Sequence, residues 1–177
     1  MISFPNAKIN IGLRITGKRD DGYHNIESIF YPIPLRDALE IVPSDKLEFT
    51  ASGLPIPGST SNNLCLKAYH LLERNFSKVG PVHIYLRKNI PMGAGLGGGS
   101  ADGAFMINLL NDFFDLGCDV RAREIYAAQL GSDCPFFIEN TPKMVSGRGE
   151  VMNRHALDLS GWYLGLLTPV VHVSTQE

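Results

Sequence analysis

The N-terminal third of the chain alternates apolar and polar residues in the way that half-buried strands do. Within residues 8–16 every second position is apolar, at Ile9, Ile11, Leu13 and Ile15. A period of two places these side chains on one face, so the pattern predicts a strand with one buried side. The turn-forming residues 17–22 (GKRDDG) end this strand, and further strands are predicted over 24–33, 37–43 and 46–52.

The middle of the chain changes to helical spacing. A loop rich in Pro, Gly and Ser at 53–61 leads to Asn62 or Asn63, either of which can cap a helix. The apolar face of that helix is predicted to be Leu64, Ala68, Leu71, Leu72 and Phe76.

The rest of the chain mixes both spacings. A strand is predicted over 82–86, and helices over 101–113 and 121–130. The first of these helices carries a broad apolar stripe of Phe105, Met106, Leu109, Leu110 and Phe113. Two late apolar runs, 136–138 and 162–168, predict further strands.

Residues 91–100 (PMGAGLGGGS) form a glycine-rich loop between the predicted strand and the helix that follows it. Five of the ten residues are glycine, and ordering so many would be costly in a simple connector. Glycine allows positive φ and close approach of a ligand, and the loop delivers its N–H groups to the positive end of the helix dipole. The segment therefore predicts an anion site, and phosphate is the anion that most commonly fits.

Three kinds of phosphate-binding loop have to be distinguished. The nucleotide triphosphatase loop requires a lysine, and residues 91–100 contain none, which excludes it. The dinucleotide fingerprint GxGxxG is matched by Gly93, Gly95 and Gly98, but it needs a strand ending in an acidic residue about twenty residues later. Residues 111–117 are instead a helix end and a loop. Hydride transfer is thus the weakest hypothesis, which binding of a nicotinamide cofactor would revive. The third kind belongs to a family of small-molecule kinases.

The composition limits the class of protein. A chain of 177 residues that is 44% hydrophobic can bury one core, so a single domain is the first expectation. A net charge of −2 favours neither a nucleic-acid partner nor an anionic membrane surface. The sequence shows no apolar run of membrane-spanning length and no signal peptide, and Cys65, Cys118 and Cys134 lack metal or disulfide spacing. A cytoplasmic location is expected.

Three short segments outside the loop carry side chains that could do chemistry. Lys8 and Asn10 are two residues apart on a predicted strand, so both point to one face, where they could hold an anion and a hydroxyl. Tyr23 and His24 follow a turn, where packed hairpin corners are commoner than ligand clamps. Asp133 lies between a helix end and a proline, either as a turn residue or as a positioned base.

Together these segments resemble one known family. The loop PMGAGLGGGSA (91–101), with PNAKIN (5–10), DGYH (21–24), GSDCPFF (131–137) and SGRGE (146–150), is similar to the GHMP kinases. That family includes galactokinase and the homoserine, mevalonate and phosphomevalonate kinases. The segments other than the loop resemble the branch that acts on 4-diphosphocytidyl-2-C-methyl-D-erythritol, and the resemblance covers essentially the whole chain.

The resemblance implies an α+β fold, the GHMP kinase N-terminal domain, in the form of a two-layer sandwich like ribosomal protein S5 domain 2. It places an ATP-binding N-terminal domain over 1–169. Family members continue into a second domain, so residues 170–177 (VVHVSTQE) are expected to be the start of a truncated C-terminal domain.

The resemblance also implies roles for individual residues. Asp133 corresponds to the base that accepts the proton of the substrate hydroxyl, and Lys8 to the lysine that keeps that carboxylate ionised. The substrate contacts correspond to Asn10, Tyr23, His24 and Phe30, of which Tyr23 and His24 hold the cytosine ring. The ATP contacts correspond to Asn63, Lys88, Pro91, Gly93, Gly95, Leu96, Gly97, Gly98, Gly99, Ser100 and Ala101. The resemblance assigns no metal ligand.

The function that the resemblance implies is ATP-dependent phosphorylation of the 2-hydroxyl of the cytidyl-linked methylerythritol, in the non-mevalonate isoprenoid precursor pathway. ATP and Mg²⁺ are the expected cofactors, because phosphoryl transfer depends on alignment and on dispersal of negative charge. The expected partner is this small-molecule substrate, with no nucleic acid and no membrane. Two alternatives stay open: another GHMP kinase, of the homoserine or mevalonate type, and a non-catalytic anion-binding module.

Overall fold

The computed structural model describes residues 1–20, 22 and 24–167, and over these residues the chain forms eight strands and four α-helices. The strands are β1 (Ile2–Ser3), β2 (Asn6–Lys18), β3 (His24–Arg36), β4 (Ala38–Pro43), β5 (Glu48–Gly53), β6 (Val82–Lys88), β7 (Lys143–Ser146) and β8 (Val151–Arg154). The helices are α1 (Leu64–Asn75), α2 (Gly98–Phe113), α3 (Val120–Leu130) and α4 (Phe136–Glu139). None of the described helices is long and apolar enough to cross a membrane.

The strands make two four-stranded sheets. The first has the order β1-β4-β6-β5 and is antiparallel except that β5 runs parallel to β6. The second has the order β2-β3-β7-β8 and is antiparallel throughout. Asn10 pairs with Phe30, and Phe30 pairs in turn with Lys143, so the middle of the long β2–β3 hairpin is paired with β7.

The main core lies between the first sheet and the helices. Alternate residues of β4 and β6 are buried, as the period of a strand requires, and these are Leu39, Ile41, Val82, Ile84 and Leu86. The residues that α1 and α2 bury in the same cluster include Ala68, Leu72, Met106 and Leu110. Burial of a side chain of leucine size contributes roughly 1.5–3 kcal/mol, so this cluster is the main source of the domain's stability.

The elements predicted for residues 1–130 are present, with different ends. The strand expected over 8–16 spans Asn6–Lys18, but its expected buried side is exposed at Leu13 and Ile15, by 60% and 63%. The strand expected over 24–33 extends to Arg36. The helix expected over 101–113 begins at Gly98, so residues 98–100 of the glycine-rich loop are its first turn. Asn63 is the cap of α1, and its Oδ1 accepts a hydrogen bond of 2.8 Å from the Cys65 amide.

The two strands predicted near the end of the chain are wrong. Residues 136–138 lie in α4, because Pro135 has helical dihedrals (φ −59°, ψ −29°) and the following residues complete one turn. All three side chains of residues 136–138 are buried. A short apolar run such as this one is compatible with either a buried strand or a buried helix, so its sequence alone could not decide between them. Residues 162–167 form no strand, and Trp162 and Leu167 are 81% and 96% exposed, so the apolar side chains of this run are not packed in the core. Thr168 and the domain start predicted at 170–177 lie outside the described residues.

Candidate active site

The end of the glycine-rich loop requires glycine for two physical reasons. Gly97 precedes α2 with φ 69° and ψ 14°, a left-handed conformation that residues with a Cβ rarely adopt. A Cβ on Gly97 would lie 2.9 Å from Phe137 Cζ and 3.1 Å from Lys8 Cγ. A Cβ on Gly98 would lie 2.8 Å from Ile90 Cγ2. The loop therefore packs directly on side chains that approach it from other parts of the chain.

The amides of this loop are available to a ligand. Within the described part of the chain, the backbone N–H groups of Gly95, Gly97, Gly98 and Gly99 donate no hydrogen bond to a protein acceptor. The first intrahelical bond of α2 runs from the Ala101 amide to the Gly97 carbonyl, at 2.8 Å. Unpaired N–H groups and the positive end of the helix dipole together favour an anion at this position.

Lys8 connects the loop to Asp133. The Lys8 amide donates to the Leu96 carbonyl at 2.9 Å, which ties β2 to the loop. The Lys8 ammonium lies 3.5 Å from Asp133 Oδ2, donates to Asn10 Oδ1 at 2.7 Å, and sits 4.4 Å from the centre of the Phe30 ring. The Lys8 side chain is 6% exposed and that of Asp133 is 32% exposed. The lysine is thus fixed by its surroundings, whereas the carboxylate can be reached from solvent.

Asp133 is held by the short turn that leads into α4. Its carbonyl accepts a hydrogen bond of 3.2 Å from the Phe136 amide, and Cys134 follows it in the buried core. Burial raises the pKa of the Cys134 thiol to about 12, although the nearby Ser100 side chain partly opposes this rise. Because Ser100 is in the first turn of α2, the helix N-terminus lies next to the turn that carries Asp133. Cys134 is therefore a neutral packing residue.

A cavity of about 130 Å³ lies beside the loop, between the starts of α1 and α2. Its walls are Ile56, Pro57, Ser59, Asn62, Asn63, Leu64, Lys88, Met92, Gly99 and Asp102. A neighbouring cavity of about 250 Å³ shares Ile56, Ser59 and Asn63 with it. Three of the residues assigned to ATP by resemblance, Asn63, Lys88 and Gly99, therefore line one cavity next to the loop.

Lys88 belongs to a buried cluster of charges. Its ammonium is fully buried, pairs with Asp37, and donates to Asp102 Oδ2 at 2.7 Å. Burial would lower the pKa of Lys88, but the charge of Asp102 and the hydrogen bonds to both carboxylates outweigh this and raise it. Burial raises the pKa of Asp102 to about 8, against the opposing charge of Lys88. The Lys88 ammonium is thus bonded to protein carboxylates, and the assignment of Lys88 to the nucleotide remains a prediction.

Asp37 and Asp102 are not among the site residues predicted from the sequence. Asp102 lies four residues before Met106 and seven before Leu109, on the apolar stripe predicted for the helix. A carboxylate at such a position indicates a buried ionic partner or a ligand. The sequence around Asp37 does not indicate a buried charge. This residue lies between two strands in which apolar and polar residues alternate in the usual way.

The substrate residues assigned by resemblance are spread along the β2–β3 hairpin. Asn10 and Phe30 pair next to Lys8, and the Phe30 ring is 2% exposed, packed edge-on against Phe136 at 5.5 Å. His24 is exposed and pairs with Lys18 near the hairpin tip. It lies six residues along the strand from Phe30, about 20 Å at the rise of an extended chain. Tyr23 lies outside the described residues.

The described residues contain no group of three or more His, Cys, Asp or Glu side chains that could hold a metal ion. Mg²⁺ at phosphoryl-transfer sites is commonly held by one or two carboxylates together with substrate phosphates. Among the described residues, no such cluster of side chains forms a cage for Mg²⁺.

Comparison with known proteins identifies the family that the chain resembles. Residues 63–140 match the GHMP kinases N terminal domain, a span that starts at Asn63 and includes both the loop and Asp133. The chain belongs to the GHMP kinase family, which confirms the α+β fold class predicted from the sequence.

Several named relatives are kinases of one kind. The chain is 52% identical to the 4-diphosphocytidyl-2-C-methyl-D-erythritol kinase of Cytophaga hutchinsonii and 54% identical to the protein of that name from Bacteroides fragilis. Both alignments cover 100% of this chain and 66% of the relative, so the chain spans just under two thirds of their length. A crystal structure of 4-(cytidine 5'-diphospho)-2C-methyl-D-erythritol kinase is 34% identical and superposes with a TM-score of 0.79, over 89% of this chain and 56% of that one. These relatives belong to the same branch of the GHMP kinases as the one that the sequence segments resemble.

Proposed function

We propose that the protein is an ATP-dependent kinase that phosphorylates the 2-hydroxyl of 4-diphosphocytidyl-2-C-methyl-D-erythritol. The observation that carries this proposal is the contact between Lys8, Asp133 and the glycine-rich loop. Lys8 touches the loop through Gly97 and pairs with Asp133 at 3.5 Å. One lysine therefore links a partly exposed carboxylate to a loop whose amides have no protein acceptor, and phosphoryl transfer needs a base and an anion site close together.

Each part of this arrangement has a separate task. The free N–H groups of the loop and the N-terminus of α2 would bind the phosphates of ATP and disperse their charge. Asp133 would accept the proton of the substrate hydroxyl as that hydroxyl attacks the terminal phosphorus. Lys8 balances the charge of Asp133 and, through Asn10, fixes where the hydroxyl can sit. Mg²⁺, bound with the ATP phosphates, would neutralise part of their charge.

The shape of the β2–β3 hairpin suits a long substrate. The reacting end of the substrate would lie at Lys8 and Asp133, and the cytosine would lie near Tyr23 and His24, about 20 Å away along the strand. An open groove of about 770 Å³ is lined by Ile11, Gly12, Leu13, Arg14, Glu27, Ser28, Ile29, Met144 and Ser146. The β2 and β3 residues in this list lie between the Asn10–Phe30 pair and His24 in the register of the hairpin. A nucleotide-linked erythritol is long enough to contact both the Lys8 end and the His24 end of the hairpin, whereas homoserine or mevalonate would contact only one of them.

The nucleotide would lie across the loop, with its triphosphate at residues 93–101 and its base in the cavity beside Asn63. This placement uses the cavity residues assigned by resemblance and leaves Asp133 free for the second substrate. It also accounts for the exposure of the loop residues Met92, Gly93, Ala94 and Gly95.

An assay that couples ADP formation to a colour change tests the proposal. We expect ADP to form with the cytidyl-linked substrate and not with homoserine or mevalonate. Asp133→Asn should reduce the rate by roughly 100- to 10,000-fold, the usual contribution of a general base, while ATP affinity stays within about threefold.

The matched control is Asp45→Asn, which removes an exposed carboxylate in the connection between β4 and β5 and should leave the rate unchanged. Full activity of Asp133→Asn would remove this residue from the mechanism. Nucleotide binding without transfer to any of the three alcohols would instead favour the anion-binding module.

A further inference from the structure

One residue that lines the cavity beside the loop has a buried polar atom without a hydrogen-bond partner. Asp102, in the second turn of α2, is 2% exposed and lines this cavity with Asn63, Lys88 and Gly99. Its Oδ2 accepts a hydrogen bond from the Lys88 ammonium at 2.7 Å. Its Oδ1 is buried and finds no hydrogen-bond partner within the described part of the chain. Leaving such an atom unpaired costs free energy, and a bound ligand with a matching group would recover it.

We propose that Asp102 binds the nucleotide as a neutral carboxylic acid, whose Oδ1–H donates a hydrogen bond to an acceptor atom in the nucleoside half of ATP. This inference rests on the proposed function, since it requires a nucleotide in the cavity between the loop and Asn63. The acceptor is a ring nitrogen of the base or an oxygen of the ribose. The triphosphate lies on the amide side of the loop and does not use this bond.

The hydrogen bonds of the cluster favour a proton on Asp102 over one on Asp37. Asp37 uses both oxygens as acceptors: Oδ1 accepts from the Asn89 and Ile90 amides at 2.6 and 2.9 Å, and Oδ2 accepts from the Lys88 ammonium. A carboxyl that only accepts is favoured in its ionised form. Asp102 has one oxygen with no donor near it, so a proton on that oxygen removes an unpaired buried negative charge.

The charges around Asp102 lead to the same assignment. The titratable groups that face it are Lys88 from β6, Asp37 from the connection between β3 and β4, and the Cys65 thiol from α1. Burial raises the pKa of Cys65 well above its usual value, so this thiol is neutral. If both carboxylates were ionised, the cluster would carry a net charge of −1 beneath a loop that receives a polyanion. With Asp102 neutral, the cluster carries no net charge, and its burial next to a triphosphate is less costly.

Two substitutions separate the donor role from a purely structural one. Asp102→Asn keeps an oxygen for Lys88 and presents an NH₂ donor to the cavity, so it imitates the neutral acid. Asp102→Ala removes the donor and leaves Lys88 paired with Asp37. Affinities of both variants and of the unaltered protein are measured by titration calorimetry with ADP and with inorganic tripolyphosphate, at about pH 7 and about pH 9. Asp45→Asn is the control for loss of an exposed carboxylate.

The expected pattern is specific. At neutral pH, Asp102→Ala weakens ADP by roughly tenfold, the value of one hydrogen bond, and leaves tripolyphosphate unchanged. Asp102→Asn binds ADP within about threefold of the unaltered protein. Between about pH 7 and about pH 9 the unaltered protein loses roughly tenfold in ADP affinity as Asp102 ionises, and the Asn variant does not.

Three results would overturn the inference. The first is ADP affinity in the Ala variant equal to that of the unaltered protein, and the second is a pH dependence in the Asn variant equal to that of the unaltered protein. The third is loss of tripolyphosphate affinity in the Ala variant in step with ADP. If the Ala variant does not fold, the pH dependence of ADP affinity in the unaltered protein and in the Asn variant is sufficient to test the inference. Failure of the unaltered protein to bind either ligand would overturn the proposed function, and this inference with it.

Discussion

Replacing Gly97 by alanine tests whether the contact between the loop and Lys8 shapes the site. The left-handed backbone of Gly97, with φ 69°, costs a residue that has a Cβ about 1–2 kcal/mol. The new Cβ would also lie 2.9 Å from Phe137 Cζ and 3.1 Å from Lys8 Cγ. Overpacking of this kind costs about 1–3 kcal/mol. We therefore expect Gly97→Ala to lower the free energy of unfolding by roughly 2–5 kcal/mol.

Gly95 provides a matched control two residues away. Its φ is +71°, but a Cβ on Gly95 would have no neighbour within 4 Å. Gly95→Ala should therefore cost only the backbone strain, about 1–2 kcal/mol. The difference between the two variants isolates the contact of the loop with Lys8 and Phe137.

Two measurements follow from this comparison. Thermal unfolding should show a Tm for Gly97→Ala that is lower than that of the control, by about 2–4 °C for each additional kcal/mol in a chain of this size. The phosphoryl-transfer rate, measured where both variants are folded, should fall further in Gly97→Ala, because a displaced Lys8 no longer holds its place beside Asp133. A displacement of about 1 Å can reduce a rate by about 100-fold. Equal stability and equal rates in the two alanine variants would refute the argument that Lys8 is positioned by the loop.

Two further substitutions test charged groups outside the loop. Asp37→Ala should lower the free energy of unfolding by about 3–5 kcal/mol, because it removes a buried partner of Lys88, whereas Asp45→Ala at an exposed position should change it by less than about 0.5 kcal/mol in urea titrations. The Arg154 side chain is the main cause that lowers the pKa of Glu139 from 4.5 to about 2. Since a lowered pKa stabilises the folded state above the usual pKa of the group, stability should fall as pH drops from 4.5 towards 2. Glu139→Gln should flatten that fall, and an unchanged pH profile would contradict the assigned ion pair.

The sequence was sufficient where local rules determine the structure. The alternation of residues 8–16 and the helical stripe of residues 101–113 have unambiguous periods, and both elements are present. The glycine-rich loop was predicted from composition alone, since five glycines before a helix have few other uses. Asn63 was one of two possible caps, and the structure selects it.

The sequence was insufficient to predict those parts of the structure that depend on contacts between residues far apart in the chain. The run at 136–138 is as apolar as a strand, and only the turn set by Pro135 makes it helical. The short strands β7 and β8 have four residues each, too few for a period to be recognised, and they form because β7 pairs with β3 and β8 pairs with β7. The pairing of Lys8 with Asp133 joins residues 125 positions apart (133 minus 8), which the sequence suggested only through family resemblance.

The buried charges explain how a loop of so many glycines can hold a defined shape. Asp37 accepts the Asn89 and Ile90 amides, which fixes the residues that enter the loop. Lys88 links Asp37 to Asp102, which lies in the helix that leaves the loop. Both ends of the flexible segment are therefore attached to one cluster, so the chain between them has fewer conformations to lose when a ligand binds. Free amides held in place before binding stabilise an anion better than amides that must first be ordered.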